Sequence, residues 1–144
     1  MTVGLSRRHL GLPNGGALHQ GLVMHVPTDG YPARAAGLLF QVAGEMVRRG
    51  VGLQHGQVIG PRGARFPDSQ TTAMVAISPR YMPESFAVCH TESAPVVLTW
   101  LVPITTGEAE VVQKSPDGGR WSTRSRLKIR TWLTPVGQKW RWIS

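Results

Sequence analysis

The sequence predicts an α+β domain, and three stretches of it carry this prediction. Pro32–Arg49 has the three- and four-residue apolar spacing of an amphipathic helix. Thr71–Ile77 is rich in β-branched residues, as strands are. Residues 96–102 (VVLTWLV) are almost unbroken apolar β-formers, and they lead into Thr105 and Glu108, which match a helix capping box. A mixed or antiparallel sheet with a helix packed on one face accounts for all three.

Length and charge restrict the class of protein. At 144 residues the chain suits one domain with its own core. Residues 1–113 carry eight Lys and Arg against seven Asp and Glu, whereas 114–144 carry eight against Asp117 alone, so the net charge of +8 belongs to the tail. The longest apolar run falls short of the roughly 20 residues that span a bilayer, and residues 1–20 lack the apolar core of a secretory signal. We therefore expect a soluble, cytoplasmic protein without a membrane partner.

The segments around the main helix are predicted to be short. Residues 1–20 show no regular period, and we expect them to be irregular. Pro32 suits the first position of the helix, and Gly50 follows Arg48 and Arg49, which complement the carboxyl end of the helix dipole. The remaining strand candidates are residues 22–26, 57–59 and 86–90, the last of them followed by a turn at 91–94.

Residues 96–102 are predicted to be the central strand. A run whose only polar member is Thr99 suits a strand buried on both faces. Because short connections favour antiparallel pairing, we expect residues 71–77 and 86–90 to be its neighbours. Pro103 has no amide donor and should end the pairing. A helix from about residue 106 to 113 should follow, capped by Thr105 and Glu108.

No pattern of catalytic or ligand-binding residues stands out. Cys89 is the only cysteine, so no intramolecular disulfide can form. Cys89 and His90 would suit a nucleophile and its base, but neighbouring residues on a strand point to opposite faces, so we expect Cys89 to be a buried core thiol. The histidines lack metal-ligand spacing, and the glycine-rich loop at 52–63 lacks the Lys-Ser/Thr of a phosphate loop. No catalytic residue, cofactor or metal is predicted; a hydrolase using Cys89 remains the enzymatic alternative.

Five segments, taken in their order along the chain, resemble one known family. They read AGLLFQVAGEMVRR, GLQHGQVIGP, TAMVAI, PRYMPESFAV and VVLTWLVPIT, the last running into Glu108. In this order, over about residues 21–113, they resemble the bacterial members of the suppressor of fused domain family. The turn that begins Trp100-Leu101 and continues through Pro103 is the most specific of these features.

The resemblance implies a fold, a function and a set of residues. The fold is a suppressor of fused-like α+β domain, truncated because the family's longer preceding sheet is missing. Eukaryotic members clamp an extended peptide of a transcription factor as an added strand, and some bacterial relatives are expected to be immunity proteins beside toxin genes. The resemblance thus implies a non-catalytic module that binds another protein, a toxin or an extended peptide. The candidate binding loop comprises His55, Gly56, Arg62 and Arg65, and the structural residues are Trp100, Pro103, Thr105 and Glu108.

The last 31 residues depart from the family's acidic helical continuation. Four of the five tryptophans lie in the last 24 residues, among Arg, Ser and Thr. Such a composition is typical of GC-rich coding sequence translated out of frame, and a frameshift near 114–119 is our hypothesis. Alternating basic and aromatic residues can also bind single-stranded nucleic acid by stacking and phosphate contact, which remains the second functional alternative.

Overall fold

The structure, a computed structural model, describes residues 2, 4–13, 15–26, 32–60, 70–79, 83–92 and 94–114. Two helices and six strands make up the described fold, with short 3-10 helices at Leu5–Arg7 and Glu84–Phe86. The elements in chain order are β1 (Leu10–Gly11), β2 (Ala17–Val23), α1 (Pro32–Arg49), β3 (Val58–Ile59), β4 (Thr71–Ile77), β5 (Val88–His90), β6 (Pro95–Thr105) and α2 (Thr106–Lys114).

The strands form one mixed sheet, as predicted. Its order is β1-β2-β6-β4-β3, and β5 also pairs with β6. The pair of β2 and β6 is parallel, and the other pairs are antiparallel. Trp100 of β6 pairs with both β2 and β4, so β4 lies on the edge of β6 opposite β2. Further back along this same edge of β6, β5 pairs with residues 95–97, beyond the end of β4.

The helix predicted over Pro32–Arg49 is present with the same bounds. Its apolar stripe packs on one face of the sheet, against side chains such as Met74 and Leu101. Gly50 follows it with a φ of 66°, the left-handed conformation that often ends a helix. The buried positions of α1 are Ala35, Leu38, Leu39, Val42 and Met46.

The opposite face of the sheet is covered by α2. Ala109 and Val112 of this helix pack with buried residues of β4 and β6, including Val75 and Val102. Met74 and Ala76 point to the α1 side, while Ala73, Val75 and Ile77 point to the α2 side, so β4 is buried on both faces. A core on each side of two adjacent strands holds the domain together.

Two-sided burial of β6 is confirmed in full for its second half and in part for its first. Leu101 packs in the cluster with α1, and Val102 and Ile104 pack in the cluster with α2. In the first half, Val96 and Thr99 are buried on opposite faces, but Val97 is 36% exposed. Sequence alone did not show this division, because it depends on how far along the strand the two helices reach.

Pro103 does not end the strand, contrary to the prediction. It pairs with Met74 of β4, and β6 continues to Thr105. Leu98 donates its amide to Ala87 on the β4 and β5 side, and successive amides of a strand point to opposite edges. The nitrogen of Pro103 therefore faces the β2 side, where pairing has already stopped at Trp100. Within the described residues no ladder hydrogen bond is lost, so the proline fits within the strand.

The N-terminal segment is more ordered than its sequence predicts. Leu5 and Leu10 are buried, and β1 pairs with β2, which begins at Ala17 rather than at residue 22. A Cβ added to Gly21 would lie 3.0 Å from the Leu98 side chain, so glycine lets β2 and β6 approach closely. No described helix is long and apolar enough to cross a membrane.

Candidate functional site

Half of the predicted binding loop lies within the described residues. His55 and Gly56 occupy a turn in which the Gln57 amide donates to the Gln54 carbonyl across 3.1 Å. Gly56 has a φ of 82°, a conformation that favours glycine. The His55 side chain is exposed. Arg62 and Arg65 lie outside the described residues, so the structure does not relate them to His55.

The buried side chain of Gln20 holds this loop against the sheet. Its Nε2 donates to the Leu53 carbonyl at 3.0 Å and to Thr99 Oγ1 at 2.6 Å, and its Oε1 accepts the Leu53 amide at 2.9 Å. On the far side of the turn, the Gly56 amide donates to the Ala76 carbonyl at 2.7 Å. The loop therefore has a fixed position on the sheet, and sequence reasoning missed Gln20 because nothing local marks it.

The predicted structural residues lie around β6 and its junction with α2. Trp100 makes an edge-to-face contact with His25, with ring centroids 5.7 Å apart. The capping box is confirmed, because the Glu108 amide donates to Thr105 Oγ1 at 3.2 Å and the Thr105 amide donates to Glu108 Oε2 at 2.9 Å. Strand and helix thus join without a loop. These residues support the fold and form no site with His55.

The outer edge of β5 is the second candidate, and one hydrogen bond fixes which of its groups face outward. The Leu98 amide donates to the Ala87 carbonyl at 2.8 Å, and the register continues through β5 without a break. Partner-facing and outward-facing residues alternate in an antiparallel pair. The amide and carbonyl of Cys89 therefore face β6, whereas those of Val88 and His90 face away. Within the part of the chain that the structure describes, no strand pairs with this outer edge.

Two exposed apolar side chains lie near this edge, one just before β5 and one on β6, one strand in from the edge. Phe86, which ends the 3-10 helix before β5, is 49% exposed, and Val97 is 36% exposed. Val97 pairs directly with Val88, so the two side chains lie on the same face of the sheet. Outward backbone groups flanked by exposed apolar side chains are what an added strand requires, since the backbone supplies affinity and the side chains supply specificity.

Cys89 is exposed rather than buried, contrary to the prediction. It lies on an outer strand that contributes no residue to either core cluster. His90 is adjacent to it on the strand, so its side chain projects from the opposite face. Among the described residues, no three His, Cys, Asp or Glu side chains come together in a way that could hold a metal ion.

These features define an α+β domain whose mixed sheet is covered by one helix on each face and ends in a short outer strand. The chain belongs to the suppressor of fused family, because the sequence model of that family, described as Suppressor of fused protein (SUFU), matches residues 1–127. The predicted resemblance is confirmed, and the match extends beyond residues 21–113 at both ends. Comparison with curated proteins and with solved structures gives no match.

Proposed function

We propose that the chain is a non-catalytic protein-binding module that takes up an extended segment of its partner as a strand added to the outer edge of β5. The observation that carries the proposal is the outward direction of the Val88 and His90 backbone groups beside the exposed Phe86 and Val97 side chains. A strand added here would gain main-chain hydrogen bonds from β5 and would cover apolar surface at the same time.

Membership of the suppressor of fused family supports a binding role over a catalytic one. The partner is another protein, and the bacterial resemblance suggests the product of a neighbouring gene, such as a toxin that this chain holds inactive as an immunity protein. A cytoplasmic location suits the single exposed thiol of Cys89, because reducing compartments keep such thiols free. Three residues of β5 make a short edge, so specificity depends on the flanking side chains.

A matched pair of variants at His90 tests strand addition. His90→Pro removes the outward amide and leaves the hydrogen bonds from Cys89 to β6 in place, whereas His90→Ala removes only the imidazole. Each variant is co-expressed with the product of each neighbouring gene, and the affinity of any complex is measured by calorimetry. We expect a stoichiometric complex with wild type and with His90→Ala, and a loss of at least about tenfold in affinity with His90→Pro, from an outward hydrogen bond and the ordering it supports.

Two results would count against the proposal. Equal binding by His90→Pro and His90→Ala would exclude this edge as the site of strand addition. The absence of any stoichiometric complex with a neighbouring gene product would contradict the immunity role itself. Circular dichroism of both variants shows whether a weaker complex reflects the edge or a loss of folding.

A further inference from the structure

A groove of about 570 Å³ runs between α1 and the N-terminal segment, on the α1 side of the molecule and separate from the edge of β5. Its base is formed by buried apolar side chains, among them Leu5, Met24 and Leu39. Arg8 lies on the N-terminal side. The α1 side consists of small and apolar residues at successive turns, namely Ala36, Phe40, Ala43, Gly44 and Val47.

The α1 side of the groove exposes large apolar side chains. Phe40 is 80% exposed and Val47 is 42% exposed, although both belong to a helix that already buries another stripe in the core. Between them, a Cβ added to Gly44 would meet no atom within 4 Å, so the groove is open down to the helix backbone. Exposed apolar surface that lines a concavity indicates a site for a partner.

The charge around the groove selects the chemistry of the occupant. Among the described residues, those that line it include Arg8 and no carboxylate. Arg7 and Arg8 follow each other on the N-terminal side, and the only acidic residue of α1, Glu45, is paired with Arg48 and Arg49. An occupant with carboxylates at its rim would therefore be attracted, and a cationic one would be repelled.

We propose that this groove binds an acidic amphipathic helix of a partner protein, with apolar side chains against Phe40 and Val47 and carboxylates toward Arg8. The groove follows α1 from Pro32 to Val47, which is about 22 Å at the rise of an α-helix, so an occupant of about 15 residues fits. The chain's own tail carries eight Lys and Arg against one Asp, so charge disfavours it as the occupant. A second copy is tested directly by the cross-linking experiment below.

The test uses two designed helical peptides with leucine at three- and four-residue spacing, one with glutamate on its polar face and one with lysine. Binding of each labelled peptide to the full chain is followed by fluorescence anisotropy. We expect the acidic peptide to bind at least about tenfold more tightly than the basic one, with the difference shrinking at high salt.

A matched pair of glycine variants locates the binding. Gly44→Gln and Gly37→Gln both lie in α1 where an added Cβ meets no atom within 4 Å, but only Gly44 lines the groove. We expect Gly44→Gln to weaken binding of the acidic peptide at least about tenfold, and Gly37→Gln to change it less than about twofold. Phe40→Ala should weaken it as Gly44→Gln does, and because Phe40 is exposed this change leaves the core intact.

Several outcomes would overturn the proposal. They are equal affinity for the two peptides, absence of binding to wild type, or unchanged binding by both Gly44→Gln and Phe40→Ala. A photoreactive group placed at position 40 distinguishes the occupants. A cross-link to residues 115–144 would assign the groove to the chain's own tail, and a cross-linked dimer would assign it to a second copy; either result would replace the acidic partner.

Discussion

Gln20 and Leu53 lie 33 positions apart and are joined by two hydrogen bonds, one in each direction between the Gln20 amide and the Leu53 backbone. The side chain of Gln20 is 1% exposed and also donates to Thr99. A buried amide with all these partners fixes the position of the loop, together with the Leu53 side chain, which packs in the core.

Gln20→Ala should destabilise the protein by about 2 kcal/mol or more, because it leaves the buried Leu53 amide and carbonyl and the Thr99 hydroxyl without this partner. Urea unfolding followed by tryptophan fluorescence measures the change. Gln57→Ala is the control: its side-chain oxygen accepts the Gln54 amide at an exposed site, so we expect a loss within about 0.5 kcal/mol. Equal losses for the two variants would show that the Gln20 bonds contribute little.

Thr105→Ala should destabilise the protein by about 1 kcal/mol, because the Thr105 hydroxyl caps the first turn of α2. Thr105→Ser keeps the hydroxyl, so its loss of stability should be much smaller. Thermal unfolding of the three proteins gives the comparison. If serine behaved as alanine does, the loss would come from the methyl group of threonine and the capping explanation would be wrong.

The stability should decrease as the pH falls below about 6.5. Burial lowers the pKa of His25 from its ordinary value, so the imidazole binds a proton more weakly in the folded chain than in the unfolded chain. Between the two pKa values the unfolded chain binds more protons than the folded one, and the free energy of unfolding therefore falls with pH until the folded pKa is passed. Above about 6.5 the contribution of His25 is fully present.

Urea unfolding at about pH 7.5 and about pH 5.5 measures this dependence. His25→Gln should reduce the difference between the two. The explanation fails if His25→Gln retains the full pH dependence of wild type.

The thiol of Cys89 should react with Ellman's reagent in the native protein, without denaturant, because it is exposed on β5. We expect one equivalent of thiol to be released at a rate within about tenfold of that of the unfolded chain. If the reaction required denaturant, Cys89 would be buried in the core, as the sequence predicted. The same reagent gives a check on the proposed function, since a strand bound along β5 should slow the reaction.

Elements determined by local patterns were predicted well. The apolar stripe and the flanking Pro32 and Gly50 bound α1 correctly, and β4 was predicted with its observed bounds. The turn at 91–94 forms through the Thr91 hydroxyl, which donates to the Ala94 carbonyl at 2.6 Å and accepts the Ala94 amide at 3.1 Å. In each case the signal lies within a few residues, so a single sequence contains it.

Elements determined by distant contacts were missed. The first five residues of β2 read Ala-Leu-His-Gln-Gly, a sequence that does not predict a strand. Gln20 and Gly21 are buried there because Thr99, Leu53 and Leu98 lie against them. Cys89 was placed in the core because free cysteines are usually buried. Whether a strand lies at the edge of a sheet depends on its neighbours, so no local sequence pattern predicts an edge position.

The candidate site was predicted only in part for the same reason. The family resemblance implied that an extended peptide binds as an added strand, but the direction of the Val88 and His90 amides depends on the register between β5 and β6. The exposed position of Phe40 likewise depends on which stripe of α1 meets the sheet. The outer edge of β5 and the exposed side of α1 can be identified only when the packing of the strands and helices is known.

Pro103 also affects the tendency of the folded chain to aggregate with other copies at high concentration. The second half of β6 is largely apolar. Past Trp100, its β2 side has no pairing strand among the described residues. A regular row of amide donors there would be a template for cross-β stacking and fibril growth. The ring of Pro103 removes the middle donor of that row, and the Thr105 amide is already bound to Glu108. The proline within β6 thus also guards this edge against aggregation.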